Sequence, residues 1–184
     1  MKILFLGYSE RETSLITFIK DQGYEVIHNS ERVDSFKNYD LVVSFGYRHI
    51  ISREMLNSAK RDLINLHISF LPYNRGAHPN FWSFFDDTPK GVTIHHIDEG
   101  IDTGEICYQK VVEFTKDENT YVKTQAKLIF EVEQLFKENF ESIIRGSYKT
   151  TKQLGAGTFH AKSDLPRNIQ WGDDIGQSLE RLRK

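Results

Sequence analysis

The chain has 184 residues, of which 39% are hydrophobic and 27% charged, a composition typical of a folded domain that buries a sizeable core. Its single cysteine, Cys107, excludes an internal disulfide, and its net charge of −2 lacks the basic surplus typical of nucleic-acid-binding proteins. No apolar run reaches the roughly 18 residues of a membrane helix and no signal-peptide pattern is present, so we expect a cytoplasmic protein without nucleic-acid or membrane partners.

Strand and helix patterns alternate along the first half of the chain. Apolar runs closed by turn residues predict strands over 2–8, 24–28, 39–46 and 62–67. A helix is predicted over 9–23, with Ser9 as its cap and Glu12 three residues later, and a shorter one over 52–60.

The second half continues with an aromatic helix, two strands and a long helix. The helix is predicted over 80–87, the strands over 91–97 and 104–114, and an amphipathic helix over 119–146, with a last helix over 174–183. Alternating strands and helices predict an α/β fold, in which an open, mostly parallel twisted sheet carries helices on both faces.

Two polar side chains stand at the end of the strand in the stretch NLHISFLPYNRGAHP, which begins at Asn65. Asn65 and His67 are two residues apart, so on a strand they face the same side. Open sheets of this kind bind ligands at the carboxyl ends of their strands. Asparagine can donate to a developing oxyanion, and histidine can act as acid, base or charged donor. The alternative is a strand end with a structural histidine.

A carboxylate beside His67 would orient and charge the imidazole. The loop IDEGIDTGEI supplies three candidates, Asp98, Glu99 and Asp102, between two predicted strands. Taken alone, this loop is equally typical of an ordinary hairpin turn.

Other chemistries find little support. The dinucleotide fingerprint and the Walker loop are absent, so we expect neither NAD nor ATP. The histidines show no metal-ligand spacing, and the adjacent His95 and His96 face opposite sides of a strand, so we expect no metal. Cys107 lies within a strand pattern and is expected to be buried rather than reactive.

The segments INLHISFLP (64–72) and KGVTIHHIDEGIDTGEI (90–106) together resemble the formyltransferases that use 10-formyltetrahydrofolate. The family pattern is an Asn-x-His strand end, followed by a histidine and an Asp-x-Gly loop. Here these are Asn65, His67, His95 and Asp102. The resemblance covers residues 1–147, which it implies are a Rossmann-like catalytic domain, with 148–184 as a C-terminal extension packed on or near it. Ile68 stands where the family usually has proline.

The resemblance implies a mechanism in which the acceptor amine attacks the formyl carbon. Asn65 and protonated His67 then stabilise the oxyanion, while Asp102 keeps His67 charged and helps to move the amine proton. The co-substrate is 10-formyltetrahydrofolate, and no metal takes part.

The resemblance also places the ligands. The pterin is expected between the 45–51 segment and the 98–102 loop, and the cofactor-binding residues are Tyr47, His49, Ile50, Ile51, His95, Glu99, Gly100 and Ile101. The loop after the catalytic strand is expected to meet the acceptor, through Tyr73, Asn74, Arg75 and Gly76.

The segments 75–98 and 157–164 look most like those of sugar N-formyltransferases. The acceptor is then an amino-dideoxysugar, nucleotide-linked or from a nonulosonic acid pathway, in bacterial glycan biosynthesis. Methionyl-tRNA formyltransferases carry a further tRNA-binding barrel, so we expect no tRNA acceptor. Two alternatives stay open: a carrier-bound aminoacyl acceptor, as in peptide synthetases, and a non-catalytic folate-binding protein of this fold. The oligomeric state is also open, and a homodimer is compatible with the sequence.

Overall fold

A computed structural model of the protein describes residues 1–183. The strands are β1 (Lys2–Gly7), β2 (Glu25–Asn29), β3 (Leu41–Phe45), β4 (Ile64–His67), β5 (Arg75–Gly76), β6 (Gly91–His96), β7 (Ile106–Val111) and β8 (Phe159–His160). The helices are α1 (Leu15–Asp21), α2 (Arg53–Ser58), α3 (Pro79–Phe85), α4 (Tyr121–Glu138), α5 (Phe140–Arg145) and α6 (Ile175–Leu182), with a 3₁₀ turn at Lys162–Asp164. None of the helices found in residues 1–183 combines the length and apolar character needed to cross a membrane.

Six of the strands form one twisted sheet in the order β2-β1-β3-β4-β6-β7. The pairings among β2, β1, β3 and β4 are parallel, whereas β6 runs antiparallel to β4 and β7 antiparallel to β6. The predicted α/β fold with an open, mostly parallel sheet is confirmed, and the antiparallel edge is an addition to it. This edge matters because β6 places its side chains directly against the end of β4.

Both faces of the sheet are covered, because consecutive side chains of the parallel strands point to opposite sides. On β1, Ile3 and Phe5 join the larger core beneath α1, α4 and α5. Leu4 and Leu6 join a smaller core that includes Phe36 and side chains of α2. The near-continuous apolar runs of the sequence are therefore strands buried on both sides.

Two helix predictions are wrong at their ends. The helix predicted from Ser9 starts only at Leu15, although Ser9 does donate to the Glu12 carboxylate as a capping box would. That pair closes a turn instead, and the carboxylate of Glu133 on α4 accepts the Ser14 amide at the true helix start. The helix predicted over 119–146 breaks at Asn139, whose side-chain amide donates to the Leu135 carbonyl and ends α4.

Residues 148–183 run back over the sheet edge and the site loops. Thr151 exchanges two backbone hydrogen bonds with Ile106 at the start of β7. β8 then pairs with β5 as a two-stranded parallel ribbon, and α6 packs on α3 through an aromatic cluster that includes Trp82 and Tyr121. The boundary at residue 147 stays a prediction.

Candidate active site

Asn65 and His67 lie at the carboxyl end of β4, as the strand pattern predicts. Asn65 pairs with His95 of the antiparallel neighbour β6, and directly opposed residues share a face of the sheet. The Nδ2 atom of Asn65 lies 3.0 Å from Nε2 of His95. The side chain of His67 is 9% exposed and that of His95 is 2% exposed, so both imidazoles are in a nearly dry environment.

Asp102 brings a carboxylate to the centre of this group from the β6–β7 loop. Its Oδ1 accepts from Asn65 Nδ2 at 3.3 Å and lies 3.5 Å from His95 Nε2. Its Oδ2 accepts from the Gly76 amide at 2.8 Å and lies 3.7 Å from His67 Nε2. One carboxylate therefore contacts or faces Asn65, His67 and His95.

The electrostatics keep Asp102 ionised. Burial on its own would raise the pKa of this carboxyl, but the charge of His67, the neighbouring His95 and the Gly76 amide lower it. The net result is a pKa well below the usual range of an aspartate, because these partners favour the charged form. The site thus holds a fixed negative charge beside His67 at neutral pH.

The hydrogen-bond partners assign the ring protons of the two histidines. Nε2 of His67 lies 3.0 Å from the carbonyl oxygen of Asn74, and a carbonyl only accepts, so Nε2 carries a proton. Nδ1 of His95 lies 2.7 Å from the carbonyl oxygen of His96 and is protonated for the same reason, leaving Nε2 to accept from Asn65. His95 therefore supports the Asn65 amide, while His67 presents a donor beside the carboxylate.

The loop predicted to meet the acceptor contributes mainly backbone groups to this cluster. The Asn74 side chain is fully buried and donates to Thr88 Oγ1 at 2.8 Å, so it faces the protein interior. The Asn74 carbonyl and the Gly76 amide instead face His67 and Asp102. Of the predicted acceptor residues, Arg75 brings a charged side chain close to the Asp102 loop, where it donates to Gln153.

The two segments predicted to hold the pterin lie beside one another. Arg53 and Glu99 form a bidentate ion pair at 2.5 and 2.9 Å that joins the start of α2 to the loop after β6. Ile51 is buried in the core that also contacts Ile97 and Tyr47, whereas Ile50 is 85% exposed. The Tyr47 hydroxyl donates to the Glu31 carbonyl, and the Tyr47 ring packs edge-on against His49. Gly100 donates to Asp98, and Ile101 is half exposed.

These segments suit a flat heteroaromatic ligand with a polar edge. The exposed Ile50 and Ile101 offer apolar surface, and the Gly100 amide beside them donates to the Asp98 carboxylate. The placement of the pterin between these segments stays a prediction. Within residues 1–183, no group of three or more His, Cys, Asp or Glu side chains is arranged to hold a metal ion.

Two candidate side chains from the sequence analysis, those of His96 and Cys107, lie outside the cluster around Asp102. His96 faces the opposite side of β6 and contacts the Tyr148 hydroxyl at 2.9 Å, and burial lowers the pKa of its imidazole. Cys107 is half-buried on β7, and burial raises the pKa of its thiol to about 12. A thiol with that pKa is not a nucleophile at neutral pH.

Two residues that contact the site loops lie far from them along the chain and are not among the predicted site residues. Gln153 contacts the Asp102 loop, and Thr158 accepts the Asn74 amide at 2.7 Å. Thr158 lies in the segment GTFHAKSD, which stood out only through its resemblance to other proteins. Gln153 carries no local signal, because its partners lie about 50 residues earlier in the chain.

Comparison with known proteins finds relatives of this chain. Residues 8–138 match the family model described as formyl transferase. A dTDP-4-amino-4,6-dideoxyglucose formyltransferase of Mycobacterium bovis is 30% identical over 159 residues, which cover 84% of this chain and 67% of the relative. A methionyl-tRNA formyltransferase of Clostridium botulinum is 35% identical over 86% of this chain. The match covers 50% of that relative's length.

Among solved structures, the formyltransferase PseJ from Anoxybacillus kamchatkensis is 36% identical, with a TM-score of 0.87. The match covers 96% of this chain and 97% of PseJ, whose structure holds UDP-4,6-dideoxy-4-formamido-L-AltNAc and tetrahydrofolate. The family model, the sequence relatives and the structural similarity agree, and the chain belongs to the formyl transferase family.

Proposed function

We propose that this chain transfers the formyl group of 10-formyltetrahydrofolate to the primary amine of a nucleotide-linked amino-dideoxysugar. The observation that carries the proposal is the single anionic carboxylate of Asp102, placed between Asn65, His67 and His95 at the end of β4. The match to PseJ along nearly the whole chain supports the folate and the sugar. We also place the reaction in the cytoplasm, without a nucleic-acid partner.

In formyl transfer, the acceptor nitrogen adds to the formyl carbon, and the formyl oxygen gains negative charge. The protein needs no nucleophile of its own, in keeping with the high pKa of the Cys107 thiol. The Asn65 amide and the protonated His67 ring are the donors for that oxygen. In the structure Asn65 Nδ2 bonds His95 and Asp102 and His67 Nε2 bonds the Asn74 carbonyl, so one of these bonds on each donor gives way when the oxyanion forms. One preorganised donor of this kind is typically worth about 3–4 kcal/mol of barrier.

Asp102 acts on charge and on the proton. Its anionic carboxylate lies 3.7 Å from Nε2 of His67 in a nearly dry site, where it attracts positive charge on the ring during the reaction. As the amine becomes a cation on addition, its proton has to leave before the product is neutral. The carboxylate relays this proton to the folate nitrogen as the oxyanion collapses to a carbonyl, so that the old bond between the formyl carbon and the folate nitrogen breaks and neutral tetrahydrofolate leaves.

The ligand-binding roles follow the predicted assignment. The pterin lies against Tyr47, His49, Ile50 and Ile51, with the turn formed by Glu99, Gly100 and Ile101 on its other side, and His95 holds Asn65 beneath the formyl group. The acceptor meets the loop of Tyr73, Asn74, Arg75 and Gly76. In that loop the Asn74 contribution comes from its carbonyl, since its side chain is buried.

The domain roles follow the same division. Residues 1–147 supply the catalytic cluster, and the extension 148–184 supports the acceptor loop through β8 and Thr158.

The test is formyl transfer from 10-formyltetrahydrofolate, followed by tetrahydrofolate release. The acceptor panel contains UDP- and dTDP-linked amino-dideoxysugars, a carrier-bound aminoacyl group and charged initiator tRNA. The proposal expects turnover on a nucleotide-linked sugar, abolished by His67→Ala and retained by His28→Ala, a matched control on an exposed histidine. Turnover only on the carrier-bound group, only on tRNA, or on none of the acceptors would overturn it.

A further inference from the structure

We infer that Gln153, in the C-terminal segment, is a positioning residue for the proposed formyl transfer. It joins the Asp102 loop to the acceptor loop and keeps the catalytic carboxylate aimed at His67. The inference rests on the proposed function for its catalytic consequence, but its structural part is testable separately. Gln153 lies beyond residues 8–138, which the family model covers.

The Gln153 side chain uses both ends of its amide. Nε2 donates to the carbonyl oxygens of Asp102 at 2.9 Å and Gly104 at 2.8 Å, which takes both of its hydrogens. Oε1 accepts from Nε and Nη2 of Arg75 at 3.1 and 2.9 Å. The orientation of the amide is unambiguous, because carbonyls only accept and a guanidinium only donates.

Gln153 supports a part of the Asp102 loop with a less common main-chain conformation. Asp102 has φ of 53°, a left-handed conformation that aspartate tolerates better than most residues with a Cβ but that is less stable than the extended or helical one. The two Gln153 bonds hold the main chain at Asp102 itself and at Gly104, on either side of Thr103. Without them, the peptide at Asp102 is free to rotate towards a relaxed conformation and to turn the carboxylate away from His67.

The acceptor loop closes the arrangement into a ring of hydrogen bonds. The Arg75 side chain binds Gln153, Gln153 binds the Asp102 main chain, and the Asp102 carboxylate binds the amide of Gly76, the residue after Arg75. The Arg75 amide is also fixed, since it donates to the Thr158 carbonyl at 3.0 Å in the β5–β8 pair. Asp102 is thus held at two points: its main-chain carbonyl accepts from Gln153, and its carboxylate accepts from the Gly76 amide.

Two substitutions separate the halves of this ring. Gln153→Ala removes all four contacts. Gln153→Glu keeps the size and an acceptor for Arg75 but places oxygen against the carbonyls of Asp102 and Gly104, so it breaks only the Asp102 half. Gln177→Ala is the matched control, on an exposed glutamine of α6 whose side chain lies outside the site.

The kinetic readout is the separation of kcat from KM. Because a misplacement of about 1 Å at a catalytic group can cost on the order of a hundredfold, we expect kcat to fall about 10- to 100-fold in both Gln153 variants. KM for 10-formyltetrahydrofolate is expected to stay within about twofold and the unfolding temperature within about 5 °C of the unsubstituted protein. Unchanged kcat in Gln153→Glu, or a loss that merely follows the unfolded fraction, would overturn the inference.

A second readout needs no acceptor. Hydrogen–deuterium exchange of the Gly76 amide, which donates to Asp102, is expected to quicken at least about tenfold in both variants while amides of β1 stay unchanged. Unaltered protection of Gly76 would overturn the inference whether or not an acceptor has been found. Faster exchange at Gly76 in a protein that transfers no formyl group would instead uphold the positioning role and refute the proposed function.

Discussion

Replacing Asp102 by asparagine tests the central electrostatic argument, because it removes the negative charge and keeps the shape. The carboxylate oxygen lies 3.7 Å from His67 Nε2, and Asp102 is only 14% exposed. At an effective dielectric constant of about 20, a pair of unit charges at this distance interacts by about 4 kcal/mol. If that interaction stabilises the imidazolium in the transition state, its loss corresponds to about a thousandfold in rate.

We therefore expect Asp102→Asn to lower kcat by about a hundredfold to a thousandfold, with the smaller value if water relaxes into the site. The assay is steady-state formyl transfer, with tetrahydrofolate binding measured by calorimetry as a control for an intact site. A variant that keeps the kcat of the unsubstituted protein, or that loses only folate affinity, would refute the reasoning.

The same substitution carries a pH signature in stability. The folded-state pKa of Asp102 lies below its unfolded value, so the unfolded chain binds the proton more readily. The stabilising contribution is therefore complete above the unfolded pKa of about 3.9 and is lost as pH falls through the folded value. We expect Asp102→Asn to be less stable at pH 7 and the difference to shrink below about pH 4, as measured by urea unfolding at several pH values.

Three further predictions follow from individual side chains. Asn65→Ala removes an oxyanion donor and is expected to lower kcat about a hundredfold or more in steady-state transfer, whereas Asn57→Ala, on the exposed face of α2, leaves it unchanged; equal activity of the two would contradict the donor role. Glu133→Ala leaves the Ser14 amide and two hydroxyls without their acceptor and is expected to cost about 1–3 kcal/mol in urea unfolding; an unchanged midpoint would contradict this account of the α1 start. Because burial raises the pKa of the Cys107 thiol to about 12, a thiol reagent at pH 8 is expected to label the native protein slowly and the urea-unfolded protein rapidly, and equal rates would show that the thiol is accessible in the fold.

The sequence predicts those parts of the site that lie on elements with a regular repeat of apolar residues. Asn65 and His67 are recognisable because a strand repeats every two residues and ends in a loop. The mostly parallel sheet is likewise visible from alternating apolar runs. The sequence pattern does not predict the end of α4, because its signal is a single side chain, Asn139, that competes for a helix carbonyl within an otherwise unbroken amphipathic pattern.

The contacts that the sequence does not predict are those between segments far apart in the chain. Spacing alone does not bring Asp102 to His67, because the loop after β6 could close in many ways, and only the family resemblance linked the two. The β5–β8 pair is two residues long on each side and has no periodicity to detect. Gln153 looks like any polar residue until the fold places three partners around it.

The antiparallel edge of the sheet explains how these distant parts become one site. In a wholly parallel sheet, the carboxyl end of β4 would meet the carboxyl end of its neighbour, and each strand would offer its own last residues. Because β6 runs antiparallel to β4, its last two residues pair with the first two residues of β4. His95 therefore lies opposite Asn65. The chain then turns back through the loop that carries Asp102 before entering β7. The Gly76 amide holds the carboxylate of that returning loop within 3.7 Å of His67, so reversing one strand is what assembles the charged cluster from three separate segments.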